Sequence, residues 1–227
     1  MGLRGEDEEK GTRRGLSILC FEHCGKRIFS LKNIPDACPV CNLLITQCDL
    51  KIPPFAVPSP FKKAVDFPCS IVIKPTKGNF LDDYSNKSNL HIAVTDSSGE
   101  VYEFDRQGLH RDRTYDWENC LVLDLSGADP LVLEMIQDPD WGEYWDICLN
   151  QTAGSDAFTR ENYHEDDNNC FNFVLSFLLS LNQSPFSGWA GSKVDFCQRL
   201  ILPKTVMAAK YIMLYRKVKE SSGIIVQ

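Results

Sequence analysis

Apolar and polar residues alternate from Leu90 to Thr95 and again from Val101 to Asp105, with Ser97-Ser98-Gly99 between the two runs. Period-two patterning around a three-residue loop with glycine in its left-handed third position predicts a β-hairpin over 91–105. That loop pairs Asp96 with Glu100 and brings Asp105 opposite His91. Leu90, Ile92, Val94, Tyr102 and Phe104 then share an apolar face, and His91, Ala93, Thr95, Glu103 and Asp105 share the other. Further strands are expected over 69–74 and 120–125. Helices are expected over 130–136 and 144–149, with a break near Pro139. Residues 152–169 read as a polar loop leading into a helix that opens at Cys170. In that helix Phe171, Phe173, Val174, Leu175, Phe177, Leu178 and Leu179 leave only Asn172, Ser176 and Ser180 as a polar stripe, so it is expected to be buried nearly all round, on a sheet. A final helix over 204–219, started by Pro203, carries Met207, Tyr211, Leu214 and Val218 on one stripe.

This order predicts an α+β domain over 68–220. Before it, 1–15 reads as a disordered tail, 16–50 as a compact cysteine-rich segment and 51–67, with Pro53, Pro54, Pro58 and Pro60, as an extended connector. Residues 221–227 read as a second tail. The chain of 227 residues, 43% hydrophobic and 24% charged, is long enough for one good core plus an appendage. A formal net charge of −7 argues against a nucleic-acid partner bound through a broad basic face. No secretory signal opens the sequence, and its longest apolar run, 173–181, is far short of the roughly 20 residues of a membrane span. A soluble cytoplasmic or nuclear protein is expected.

In such a setting ten cysteines are thiols or metal ligands rather than a disulfide framework. Asn168 or Asn169 can cap the Cys170 helix, which puts the thiol in the first turn, where the helix dipole favours thiolate. His91 is the candidate base, Glu103 the candidate carboxylate that orients it because it lies diagonally across the hairpin, and Asp105 the reserve. The competing readings are plain: the polar hairpin face meets water, and Cys170 packs as a small hydrophobe. Glu165, Asp166 and Asp167 oppose a thiolate if they face it. His110, in a charged loop, is expected to be solvated; His164 is a substitute base six residues before Cys170. Trp117, Trp141, Trp145 and Trp189 either line a substrate groove or anchor loops to the core.

Cys38-Pro39-Val40-Cys41 is a Cys-x2-Cys knuckle. Its partners for a tetrahedral structural zinc site are Cys24 together with Cys20 or His23, and Gly25 suits the turn of a knuckle.

Histidine on a hairpin strand, then cysteine at a buried helix start about eighty residues later, resembles the chain order of circularly permuted papain-like enzymes (NlpC/P60-type). Asn168-Asn169-Cys170-Phe171-Asn172-Phe173 is similar to the asparagine-cysteine-asparagine-asparagine-phenylalanine signature of the PPPDE (deSUMOylating isopeptidase) group, with Phe171 in place of an asparagine. The twelve-residue step from His91 to Glu103 is similar to that between the two active-site histidines of lecithin retinol acyltransferase-like proteins, with Glu103 in place of the second. From Phe21-Glu22-His23-Cys24-Gly25 through Cys38–Cys41, 90–95 and Asn169-Cys170 to Leu214-Tyr215-Arg216, the chain resembles the makorin-2 opposite-strand protein family, which brings no assigned activity. The enzyme resemblances imply that Cys170 attacks an acyl or isopeptide carbonyl, His91 moves the proton, Glu103 orients His91 and the Cys170 amide holds the oxyanion. The alternative is an inactive copy of the fold that binds a protein partner through its zinc ribbon and groove.

Overall fold

The computed structural model describes residues 17–48, 50, 52–112, 115–123, 125 and 129–227, and the tail expected over 1–15 lies outside them. In chain order the strands are β1 (Ile18–His23), β2 (Lys26–Leu31), β3 (Ile52–Ala56), β4 (Ile71–Pro75), β5 (Leu90–Thr95), β6 (Val101–Asp105), β7 (Gly108–Asp112), β8 (Leu121–Leu123) and β9 (Ile224–Val226). The helices are α1 (Pro130–Ile136), α2 (Trp141–Ala153), α3 (Cys170–Ser180), α4 (Phe186–Ala190), α5 (Lys193–Phe196) and α6 (Leu202–Glu220). The architecture is α+β with two antiparallel sheets, and the chain divides into one unit of Met1–Ser59 with Leu214–Gln227 and another of Pro60–Met213.

In the first unit the sheet order is β3-β1-β2-β9. His23 pairs with Lys26, so Cys24 and Gly25 form a two-residue hairpin loop, with φ of 54° and 65°. Two successive left-handed residues define the turn whose twist matches paired strands. The outer strands come from segments that read as a connector and a tail. Cys20 pairs with Phe55 of β3, and Phe29 with Ile225 of β9. Pro53 and Pro54 are tolerated because β3 is an edge strand whose register with β1 shifts between Cys20 and Glu22, opposite the two prolines. Phe21, Ile28, Cys38 and Ile45 form the core of this unit.

The second unit holds a sheet of order β7-β6-β5-β4-β8. Its central hairpin has the expected register: Thr95 pairs with Val101 and Ala93 with Glu103. The loop is held by the Asp96 carboxylate, which accepts the Ser98 and Glu100 N–H groups at 2.8 Å each. Gly99 has φ +83°, and a Cβ there would lie 2.4 Å from the Val65 carbonyl oxygen. Gly99→Ala is therefore expected to cost about 2 kcal/mol in a thermal or urea melt. A loss below about 0.5 kcal/mol would show that the loop yields freely.

Both faces of the hairpin are covered, so the competing reading of a polar face open to water does not hold. Ala93 and Val101 pack with Ala64, Val72, Trp117 and Cys120. On the other face Phe104 meets Phe158, which meets Phe173 of α3, each at 5.2 Å between ring centroids. Trp145 of α2 is fully buried, donates its indole N–H to the Thr95 carbonyl at 2.9 Å and stacks edge-on against Phe177. Trp145 and Trp189 are thus anchors of the core, while Trp141, also buried, lines a cavity of about 250 Å³ with Met135, Tyr144 and Gln183. As expected α3 is buried along most of its length, though Leu179 in its last turn is exposed.

The C-terminal helix starts earlier than the sequence suggests. From α5 the chain passes through a wide π turn at Cys197–Ile201 into α6. Such a turn leaves a proline without the i−4 conflict it creates in a regular helix, and Pro203 follows it directly. The buried stripe runs Ala208, Tyr211, Ile212, Tyr215 and Val218, while Met207, expected on it, is 61% exposed. Among the described residues no helix is long and apolar enough to cross a membrane.

Candidate active site and metal centre

Cys170 is the first residue of α3, and Asn169 caps it. The Asn169 side chain accepts the Phe171 N–H at 3.0 Å and Asn172 answers by accepting the Asn169 N–H at 3.2 Å. This capping box fixes where the helix begins and leaves Cys170 at its positive end. The thiol is 7% exposed and lies beside His91, close enough for the pair to perturb the imidazole.

His91 Nε2 lies 2.8 Å from Glu103 Oε2, with both side chains buried. Burial alone disfavours an imidazolium, but the contacts with Cys170 and Glu103 outweigh it and push His91 up to about 9. Burial likewise opposes ionisation of Glu103, and the bond to His91 and the charge of Lys74 overcome it, holding the carboxyl down at about 2. The two groups therefore meet as an imidazolium and a carboxylate at neutral pH. Asp105 faces elsewhere, accepting the Gln107 N–H and standing 3.8 Å from His110.

Three further neighbours surround the pair: Lys74, which the sequence did not single out, and His110 and Trp117, which it placed elsewhere. Lys74 Nζ lies 3.7 Å from Glu103 Oε2 and 4.3 Å from the centre of the Trp117 ring. His110, expected in a loop, is in β7 directly opposite Glu103, with Nε2 3.3 Å from Oε1. Trp117 packs against the His91 ring, and its buried indole N–H, which acts on Glu103, makes no hydrogen bond of ordinary geometry. A strand's pairing partners signal such neighbours, and neither β7 nor the β4–β5 pairing has a local signature.

Two of the three acidic residues ahead of Cys170 have partners of their own. Glu165 pairs with Arg106, and Asp167 with His164, which also bridges to Asn168 through the backbone. His164, the substitute base, is thus committed to its own loop. Arg106, Arg160, Tyr163, His164, Glu165 and Asp166 line a cavity of about 390 Å³. Burial first, and then the nearby Cys170, raise the Tyr163 hydroxyl above its ordinary value. Another cavity, of about 450 Å³, lined by Phe67, Leu121, Leu123 and Met207 among others, holds none of these groups.

In the first unit His23, Cys24, Cys38 and Cys41 bring their ligand atoms within 4.8 Å of one another. His23 Nδ1 is 3.1 Å from the Cys24 thiol and 3.6 Å from that of Cys41. Of the two open alternatives the structure brings in His23; Cys20 is buried within β1 and lies outside the cluster. In the knuckle the Val40 N–H points at Cys38 Sγ at 3.4 Å. Burial works against a Cys38 thiolate, yet the Val40 and Cys41 N–H groups lower it to about 7. The Cys24 thiol is pushed up to about 11, first by its hydrogen bond to Cys41. Three sulfurs and one imidazole suit a divalent metal: bonds of about 2.3 Å place tetrahedral ligands about 3.8 Å apart. None of the ten cysteines is in a disulfide.

The site thus belongs to an α+β protein with a buried cysteine–histidine–glutamate group and a separate His/Cys cluster. The DUF4796 C-terminal family spans residues 54–218 and the DUF4796 N-terminal family residues 16–43, and the chain belongs to this DUF4796 family. It is similar to the human MKRN2 opposite strand protein, 29% identical over 206 residues that cover 91% of this chain and 87% of the relative. No solved structure matches it.

Proposed function

We propose that the second unit is a permuted papain-like cysteine hydrolase or acyl transferase with Cys170 as nucleophile, His91 as acid–base and Glu103 as the group that orients His91. One observation carries this reading: a cysteine at a capped helix start beside a buried histidine whose other side is bonded to a carboxylate at 2.8 Å. An imidazolium already carries the proton that the reaction needs. The thiolate adds to the acyl carbonyl, the carbonyl electrons move to oxygen, and the Cys170 N–H, one of the four without an intrahelical partner, holds the oxyanion. Collapse expels the amine or alkoxide, which takes its proton from His91 and leaves a thioester. Neutral His91 then removes a proton from water or another acceptor, whose attack on the thioester expels the sulfur as thiolate and restores the thiolate–imidazolium pair.

For the first unit the reading is a structural zinc on His23, Cys24, Cys38 and Cys41, since four protein ligands leave no position for water. Such a chain works in the reducing cytoplasm or nucleus, where its thiols persist. A second reading, an adaptor for a protein partner, draws support from Val40, Leu43 and Leu44, which are exposed on and beside the knuckle. Mass spectrometry after treatment with electrophilic ubiquitin-like and acyl probes separates the two. Labelling of Cys170 that falls about 100-fold or more in His91→Ala is expected for the enzyme. Labelling confined to other cysteines overturns it in favour of the adaptor.

A further inference from the structure

Four polar side chains form one row across four neighbouring strands. Lys74 of β4 pairs with His91 of β5, and Glu103 of β6 pairs with His110 of β7. His91 and Glu103 are diagonal, since Glu103 pairs with Ala93. The carboxylate is common to the other three: Oε2 faces His91 Nε2 at 2.8 Å and Lys74 Nζ at 3.7 Å, and Oε1 faces His110 Nε2 at 3.3 Å. Its side chain is 6% exposed, that of Lys74 19% and that of His110 37%.

A buried carboxylate stays ionised only beside compensating charge. In the proposed cycle His91 gives its proton to the leaving group, and at that moment Glu103 faces a neutral imidazole. The Lys74 ammonium takes no part in the transfer, so its charge remains. A carboxylate held through one oxygen can also rotate, and His110 engages the other. We propose that Lys74 and His110 are positioning residues, Lys74 keeping Glu103 ionised while His91 is neutral and His110 keeping Oε2 aimed at His91. This rests on the hydrolase or transferase reading for its use, though not for its geometry. The groups facing Glu103 are His91, Lys74, His110 and the Trp117 N–H; the Asp105 carboxylate stands behind His110 and Cys170 beside His91.

Two readouts on the full chain test it: the Glu103 carboxyl titration by ¹³C NMR, and the pH dependence of Cys170 reaction with 2,2′-dithiodipyridine, which stays reactive in acid. Lys74→Met is expected to raise the Glu103 midpoint by about one pH unit, to move the acid limb of the Cys170 profile the same way, and to be rescued by Lys74→Arg. If Lys74→Met does not fold, Lys74→Gln carries the same comparison. His110→Ala is expected to slow the neutral-pH reaction several-fold, and His110→Gln, which keeps an N–H donor, to retain it. A Glu103 midpoint unmoved in the Lys74 variants, or not restored by arginine, overturns the proposal. A midpoint that moves as expected while Cys170 reacts as an ordinary thiol in every variant supports the Lys74 contact and defeats the enzyme reading.

Discussion

Glu103→Ala is expected to lower the unfolding free energy by about 3–5 kcal/mol and, under the proposed mechanism, to reduce probe labelling of Cys170. The substitution leaves His91 and Lys74 facing each other without an anion, in a site where Glu103 and His91 are 4% and 9% exposed. Breaking a buried pair from one side costs more than the pair contributes, because the surviving charge has no water to return to. Glu103→Gln keeps the shape and one acceptor and should cost less. The same contact predicts a stability window. Glu103 falls from its usual 4.5 to about 2, so its contribution is complete above pH 4.5 and is lost as pH drops towards 2. His91 rises from 6.5 to about 9, so its contribution is complete below pH 6.5 and is lost as pH climbs through 9. The two shifts share the His91–Glu103 contact, which is counted once, while Cys170 adds to the rise of His91 and Lys74 to the fall of Glu103, and together they leave a plateau between about pH 4.5 and 6.5. All four tryptophans lie in the second unit, so urea melts followed by tryptophan fluorescence read this directly. Stability that is flat from pH 6.5 to 9 in the wild type, or a Glu103→Ala loss below about 1 kcal/mol, would show that the pair does not hold the site together.

Local signals made the hairpin and the cysteine helix legible. The loop Ser97-Ser98-Gly99 fixes the register, and the register by itself carries Glu103 to His91. Asn168 and Asn169 announce the helix start, and the structure selects Asn169 as the cap, answered by Asn172. What stayed hidden depends on pairing between distant segments. Lys74 stands opposite His91 only because β4 adds to β5, and nothing in the composition of either strand names the other. His110 reads as solvated because Arg111 and Asp112 surround it with charge, yet β7 pairs residue by residue with β6. The strands β3 and β9 were lost for a similar reason: a proline run reads as a linker, and three residues near the C-terminus carry too short a pattern to register as a strand. Spacing admits Cys20 and His23 equally. The hairpin decides between them, because its turn brings His23 and Cys24 to the knuckle while Cys20 stays in the strand.

Purified under reducing conditions with zinc supplied, the chain is expected to carry about one zinc per molecule, and a strong chelator is expected to melt the β1–β2 hairpin. Next to the cluster, Phe21, Ile28, Cys38 and Ile45 pack together with Ile34, Leu50 and Ile224 at the edge, and Ile18, Val218 and Ile225 of the same unit are buried as well, so the core is small and includes Cys38, one of the proposed ligands. A core of that size falls in the range where small folds depend on a metal or a disulfide, and there is no disulfide here. Binding to such a site is coupled to folding, so the metal contributes stability as well as geometry. Amide exchange at Phe21 and Ile28 is therefore expected to accelerate about 100-fold or more on chelation, while the second unit keeps its protection. Cys38→Ser and His23→Ala are expected to abolish stoichiometric zinc by elemental analysis, and Cys20→Ser to retain it. Zinc that survives His23→Ala and is lost in Cys20→Ser would reverse the ligand assignment, and protection unchanged by the chelator would show that the four-stranded sheet stands without a metal.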